Sequence, residues 1–341
     1  MPPLVIWAAE EEGLVTNRHI EHYGRCVGPG LVIVEAATVA PEGRLAKTQL
    51  GAFDDAHVDG LARLAARIAE NGSVPGIQIH HAGGRTDIER TYGNTLVVPS
   101  LVDPAANGHR RELTEEDIAR IIDDFGRAAG RVAAAGFRLV EVHGAHGYLG
   151  SQFLSPKTNR RTDRWGGSVA NRARFLEEVV RRVREVVDDD VAVTVRLGVA
   201  EAGEDGLTLS DGIEAARILE AAGADMLHVS HAGSMPQHLR PEGSRFSALI
   251  HAAAAVKAVV SVPVIAVGGI KMPDEAEHVL EAGYADYVAV GRGILADPRW
   301  AEKSLAGNAH TIERCQDCEP RCHFFTDPRR CPARRRVSGA Q

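Results

Sequence analysis

The feature that most constrains this chain is a repeated alternation of short apolar runs with longer amphipathic stretches. The runs are Leu4–Trp7, Gly30–Glu35, Pro75–His80, Leu139–His143, Ala192–Arg196, Met226–Ser230, Val262–Val267 and Tyr287–Val290. Most are continuously apolar and β-branched, as strands buried on both faces of a parallel sheet must be. Between them, Leu61–Glu70, Glu115–Ala135, Asn171–Val187, Leu209–Ala222 and Pro273–Glu281 repeat apolar residues at helical spacing. Thr114 before Glu115-Glu116, Ser210-Asp211 and Met272-Pro273-Asp274 are helix-start signals. Gly136, Gly223 and Gly283 fall where a left-handed C-terminal cap belongs. Eight strand–helix units in succession predict an α/β chain closed into a (β/α)₈ TIM barrel. A doubly wound open sheet is the rival, but it seldom needs eight units of this regularity. The loops after barrel strands form the active face, which singles out Gly83-Gly84 and the irregular stretch Thr86–Glu112. The repeat ends near Gly307, so the expected division is a barrel over 1–306 and a Cys-rich extension over 307–341.

Composition excludes several classes. The chain is 44% hydrophobic and 25% charged, enough to bury a large core. Its net charge of -7 offers no general footprint for nucleic acid. The cluster Arg329, Arg330, Arg334, Arg335 and Arg336 reads as a solvated tail. No apolar run approaches the roughly 20 residues of a membrane span. The start, Met1-Pro-Pro-Leu-Val-Ile-Trp7, lacks the basic and long apolar regions of a signal peptide. A cytoplasmic protein acting on a small molecule, with neither membrane nor nucleic acid as partner, is expected.

The chemistry concentrates in Val142–Gly167, V-H-G-A-H-G-Y-L-G-S-Q-F-L-S-P-K-T-N-R-R-T-D-R-W-G-G, which follows a strand and precedes a helix. His143, His146 and Tyr148 therefore belong at the carboxyl end of the fourth strand. Two imidazoles and a phenol there offer two donors for an oxyanion and one proton source. One histidine in a loop is usually just a polar residue; a cluster of three such groups at a barrel mouth is a candidate catalytic centre. The stretch closely resembles the Old Yellow Enzyme family of flavin oxidoreductases, with the signature H-x-x-[HN]-G-Y-L…F-L-S-P…N-x-R-T-D-x-[YW]-G-G-S…N-R-x-R-F. The resemblance continues through Asn171-Arg-Ala-Arg-Phe175, Val34-Glu-Ala-Ala37, Ile77-Gln-Ile-His-His-Ala-Gly83, Val195-Arg-Leu197 and Val290-Gly-Arg-Gly293, in family order across nearly the whole barrel.

The resemblance implies FMN at the barrel mouth. Its pyrimidine edge would meet Gln78 on the third strand and Arg196 on the fifth, an amide serving both ring edges and a cation facing the reduced ring. Its phosphate would lie near Gly268, Gly269, Gly291 and Arg292, after the seventh and eighth strands. Backbone contacts from Pro3, Leu4 and Ala36, and Trp7 beside the substrate, follow from the resemblance only. In the family's reaction NADH or NADPH reduces the flavin and an activated alkene then takes the same face. His143 and His146 would polarise its carbonyl or nitro oxygen, and Tyr148 would protonate the α-carbon. Val5 stands where the family has a Thr or Cys, removing a group that tunes the flavin. Relatives also carry residues before the first strand, so this chain is expected to be truncated or to begin from a misassigned start. Homo-oligomers are the family's habit. His228, His231 and His238 read as structural hydrogen-bonders of the sixth strand and its loop, with a further acid or substrate contact as the alternative.

Cys315-x₂-Cys318-x₃-Cys322-x₈-Cys331 follows the last barrel helix, while Cys26 stands alone. Clustered thiols in a cytosolic chain favour a metal over disulfides, and this spacing suits an iron–sulfur cluster or zinc. The tail resembles the subfamily of 2,4-dienoyl-CoA reductase and trimethylamine dehydrogenase, which implies a 4Fe-4S cluster near the flavin. The last gap is shorter than that subfamily's, so zinc stays open, with His323 as a substitute ligand. No G-x-G-x-x-G follows a strand. Electrons would then come from NADH or NADPH at the FMN, or from a separate electron-transfer partner through the cluster. The leading expectation is reduction of α,β-unsaturated carbonyl compounds. An iron–sulfur amine dehydrogenase or enoyl-thioester reductase, and an electron-transfer flavin subunit, are the alternatives.

Overall fold

A computed structural model of the chain describes residues 1–10, 12–102, 109–319, 322, 324 and 330–339. Seven parallel strands form one curled sheet: β1 (Leu31–Thr38), β2 (Val74–His80), β5 (Leu139–Gly144), β6 (Ala192–Gly198), β7 (Met226–Ser230), β8 (Val264–Val267) and β9 (Tyr287–Ala289), adjacent in that order. β3 (Leu96–Val98) and β4 (Arg110–Glu112) make a separate two-stranded ribbon. α1 (Asn17–Gly24) precedes β1; the helices between later strands are α2 (Val58–Glu70), α3 (Glu115–Ala134), α4 (Leu149–Leu154), α5 (Val169–Val186), α6 (Leu209–Ala221), α7 (Ala248–Lys257) and α8 (Pro273–Glu281), with α9 (Arg292–Ala296), α10 (Trp300–Leu305) and α11 (Pro332–Gly339) after the last strand. Among the described residues no helix is long and apolar enough to cross a membrane.

The sequence explains the elements. Every residue of β5 is buried, so its apolar run faces covered layers on both sides. α3 starts where Thr114 Oγ1 accepts the Asp117 N–H and Asp117 in turn accepts the Thr114 N–H. Its buried Ile118, Ile121, Ile122 and Phe125 form the stripe against the barrel. Gly136, Gly223 and Gly283 all have positive φ at the expected helix ends. α6 is capped by Thr208 rather than by Ser210-Asp211: Thr208 Oγ1 takes the Asp211 N–H, and the Asp211 carboxylate goes to Arg172.

Four expectations need correction. Leu4–Trp7 is not a strand. Met1 exchanges two backbone bonds with β1, at Leu31 and Ile33. The ladder then stops, because Pro2 and Pro3 have no N–H. The Ile6 N–H goes instead to the Glu35 carboxylate at 3.1 Å, and Trp7 turns to φ +50°. Pro2 and Leu4 side chains come within 3.7 Å of where a Gly291 Cβ would stand, so this segment fills the gap between β9 and β1. The stretch Thr86–Glu112 is not all loop, since it contains the β3–β4 ribbon. Of α1 to α8, α1, α4 and α7 have no counterpart in the sequence reading; α7 (ALIHAAAAVK) is apolar on almost every side, so periodicity is silent. The basic C-terminus is not simply solvated: Arg334 donates to the Leu295 carbonyl at 3.3 Å and Arg336 pairs with Glu313. Arg329 lies outside the described residues.

Candidate active site

Strand register builds the site. Gln78 on β2 lies opposite Glu141 on β5, His143 opposite Arg196 on β6, and Arg196 opposite His228 on β7. These side chains are buried, and two layers result. In the lower layer Gln78 Nε2 donates to Glu141 Oε1 at 2.8 Å, and His228 Nδ1 donates to Glu141 Oε2 at 2.7 Å. Arg196 lies beside this pair, with Nη1 3.5 Å from His228 Nδ1. Burial depresses the pKa of Arg196 and Glu141 opposes that; burial and then Arg196 push His228 down to about 4. The layer therefore holds one carboxylate, one guanidinium and a neutral imidazole.

Above it stand His143, His146 and Tyr148. The Ala145 N–H donates to His143 Nδ1 at 3.3 Å, which leaves the proton of the neutral ring on Nε2. That nitrogen is 3.2 Å from His146 Nδ1, and His146 Nε2 is 2.7 Å from Ser230 Oγ. The Tyr148 ring lies edge-on to His80 at 4.5 Å and to His143 at 5.0 Å between centroids. His146 takes φ +60°, the left-handed region that a non-glycine residue adopts only when its surroundings enforce it. The enforcing contact is its own N–H, bonded to the His231 carbonyl at 2.9 Å.

Electrostatics keep the group uncharged. Burial, then His146, holds His143 well below the usual imidazole range; burial, then Arg196, does the same for His146. Burial raises Tyr148 above its ordinary value, opposed by the Arg85 guanidinium 5.7 Å from its ring centre. At neutral pH the arrangement offers two neutral imidazoles and one protonated phenol.

Pro3, Leu4, Arg196, Gly268, Gly269, Gly291 and Arg292 line a cavity of about 230 Å³, with Lys271. Gly268 and Gly269 have φ +131° and +81°, and a Cβ on Gly268 would stand 2.9 Å from Ser247 Oγ. Two successive glycines here bare their backbone to the cavity. Ala36 is not among its walls; its carbonyl accepts from Gln49 Nε2 at 2.9 Å. Trp7 makes no ring contact with His143, His146 or Tyr148 among the described residues. His238 is exposed and apart from the cluster, whereas the His231 ring lies 4.8 Å from that of His146.

Cys315, Cys318, Cys322 and Cys331 all line one small cavity, together with Arg292 and Asp317. Among the described residues no three His, Cys, Asp or Glu side chains stand in metal-ligating geometry; His323 lies outside those residues. Asp317, between the first two cysteines, pairs with Lys271 and with Arg292, the latter at 2.9 Å. Cys26 is elsewhere, with its thiol pushed up to about 11 by burial, hence unreactive.

Sequence reasoning missed Ser230 and Glu141. Ser230 ends a strand at the active face, a position the barrel rule nominates. Glu141 is a carboxylate inside an apolar run, which is a signal in itself, because a buried charge requires partners.

Comparison with known proteins agrees with this geometry. Residues 1–310 match the NADH:flavin oxidoreductase / NADH oxidase family. An NADH oxidase from Thermoanaerobacter brockii is 42% identical over 329 residues, covering 94% of this chain and 50% of that protein, so the chain spans half its length. An NADPH dehydrogenase from Geobacillus sp. (strain WCH70) is 37% identical over 305 residues, covering 88% of this chain and 87% of its own. The solved complex of 2-naphthoyl-CoA reductase with 2-naphthoyl-CoA aligns with a TM-score of 0.85 at 29% identity, over 96% of this chain and 53% of that one. The barrel of a Zymomonas mobilis Old Yellow Enzyme homologue, at 24% identity and a TM-score of 0.79 over 96% of this chain and 94% of that one, shares the fold. Family match, fold and strand-end cluster converge: this chain belongs to the NADH:flavin oxidoreductase / NADH oxidase family, as its resemblance to Old Yellow Enzyme implied.

Proposed function

We propose that this chain reduces activated C=C bonds of α,β-unsaturated carbonyl compounds with FMN and NADH or NADPH. The observation that carries the reading is the His143–His146 pair, with two ring nitrogens 3.2 Å apart beside a protonated Tyr148 and above Arg196. The residues present fit the cofactor. Arg196 Nε and both His80 ring nitrogens are buried without partners among the described residues, at the mouth where a polar ring would lie. The 230 Å³ cavity with its glycine pair, Lys271 and Arg292 has the chemistry of a phosphate cradle.

When bound, FMN supplies the hydride chemistry. Gln78 gives its N–H to Glu141, so its Oε1 is left to accept from a ring N–H. Arg196 supplies a fixed positive charge toward the ring, moderated by Glu141. As the site stands, His143 Nε2–H donates to His146 Nδ1, and His146 Nε2–H donates to Ser230 Oγ. A substrate oxygen that parts the two ring nitrogens accepts from His143 Nε2–H, and from His146 as well once the Ser230 hydroxyl turns to donate to Nε2 and the imidazole proton moves to Nδ1. Tyr148, kept protonated by burial, delivers the proton to the α-carbon. Anaerobic stopped-flow tests the reading: NADPH should bleach the bound flavin and cyclohexenone should restore it. Reduction without reoxidation by any enone would mark an electron-transfer subunit instead.

A second reading, an iron–sulfur flavoprotein of the enoyl-thioester reductase or amine dehydrogenase type, draws on the four cysteines lining one cavity. A set of four soft thiols suits a 4Fe-4S cluster or zinc. In this reading residues 307–341 form a cluster segment serving a separate electron-transfer partner. Iron and acid-labile sulfide in stoichiometric amount support it; zinc without iron rejects the cluster. A cytoplasmic homo-oligomer completes the proposal, to be checked by fractionation and sedimentation.

A further inference from the structure

A cavity of about 270 Å³ lies beside the catalytic run, between the β3–β4 ribbon and α4. Its walls include Arg85, Arg110, Ser100, Gln152, Thr158 and Glu201. Gly147, the residue between His146 and Tyr148, also lines it, and a Cβ there would stand 2.6 Å from Arg85 Nη1. The cavity therefore begins where the reaction centre ends.

Its charge is largely unspent. Arg85 is exposed, rests over the Tyr148 ring and makes no ion pair among the described residues. Arg110 spends one Nη2–H on the Gly84 carbonyl at 3.1 Å, while its Nε is buried with no partner among the described residues. Ser100 Oγ accepts the Arg160 N–H at 2.9 Å, which leaves its own hydrogen to donate. Glu201, the carboxylate in the wall, is engaged by the Ser155 hydroxyl at 2.6 Å. Two guanidiniums and a hydroxyl facing one space are the donor set for an anion with several oxygens.

We propose that this cavity is a subsite for the phosphate-bearing tail of a ligand whose reacting end lies under Tyr148. The inference rests on the flavin reading above and adds a ligand class to it. A simple enone carries no anion to place here. The hydride donor does, in its pyrophosphate, and so does an acyl-CoA thioester; both are long enough to occupy the reaction centre and the cavity together.

Isothermal titration with ADP-ribose and with coenzyme A probes the subsite directly. Neither probe carries the nicotinamide or the activated alkene that would react at the flavin. Wild type should bind at least one of them, and Arg85→Ala and Arg110→Gln should each weaken that binding by about tenfold or more, the loss of one charge-assisted contact. Sensitivity for ADP-ribose alone assigns the subsite to the nicotinamide nucleotide, and for coenzyme A alone to a thioester. Where ADP-ribose is the sensitive probe, Arg110→Gln should also raise the KM for NADPH while N-benzyl-1,4-dihydronicotinamide, which lacks phosphate, reduces the flavin at the wild-type rate; where only coenzyme A is sensitive, the KM for NADPH should not move. No binding of either probe to wild type, or binding indifferent to both substitutions, overturns the proposal. Failure of the flavin reading would show separately, as wild-type protein that the benzyl reductant cannot reduce.

Discussion

Tyr148 and Ser230 serve the same reaction in different ways, and substitution separates them. Tyr148→Phe removes a proton donor and nothing that touches flavin reduction. Reduction by NADPH should persist while alkene reduction slows by about 10² or more; equal loss of both half-reactions in stopped flow would remove Tyr148 from that role. Ser230→Ala releases the proton position of His146, so kcat/KM for an enone should fall by roughly tenfold with flavin reduction unchanged. A matching fall in the reductive half-reaction would make Ser230 merely structural. His143, His146, Tyr148, Gln78 and Arg196 were legible in the sequence because each stands in a run whose order has chemical meaning. Glu141 and Ser230 were not. Their significance comes from neighbours on other strands, Gln78 and His228 for one and His146 for the other, and only register supplies those.

At the scale of elements, the segment from Pro2 to Ala8 is held by side chains once the two backbone bonds of Met1 end. Tyr23 on α1 is the second anchor: its hydroxyl accepts the Glu35 N–H at 2.9 Å and lies 3.2 Å from the carboxylate that takes the Ile6 N–H. Tyr23→Phe leaves the buried Glu35 N–H without a partner and should cost about 1–3 kcal/mol in chemical denaturation. FMN affinity should fall with it, because Pro3 and Leu4 line the candidate phosphate cavity; an unchanged midpoint would show that the anchor carries no energy. Seven of the eight strand runs were legible, since a strand covered on both faces writes a continuous apolar word. Leu4–Trp7 writes the same word without forming a strand. The difference lies in two prolines and one long-range carboxylate, which no local pattern contains.

The whole molecule carries an unusual load of buried neutral histidines. Burial holds His22 and His80 down to about 3, and His81 and His228 to about 4. In the unfolded chain each titrates near 6.5. Between these values the unfolded state binds more protons, so stability is fully present above about pH 6.5 and is lost as pH falls toward 4. Tm should therefore decline already between pH 6.5 and 5, above the range of ordinary carboxylates, with proton uptake measurable by calorimetry in buffers of different ionisation enthalpy. A flat Tm across that interval would contradict the burial of these rings.

The seam of the barrel has a consequence in time. Met1 bonds to Leu31 and Ile33, and Pro2 and Leu4 meet Gly291 just past β9. The gap between β9 and β1 is thus filled by packing the first segment against the turn that follows β9, a contact between residues far apart in sequence. Such contacts form late, because their loop entropy is lost before they return any energy. On the ribosome the sheet must wait, with an open edge, until β9 has emerged. That interval is when the nascent chain is most prone to pair with a neighbour, and slow translation through the eighth unit would lengthen it.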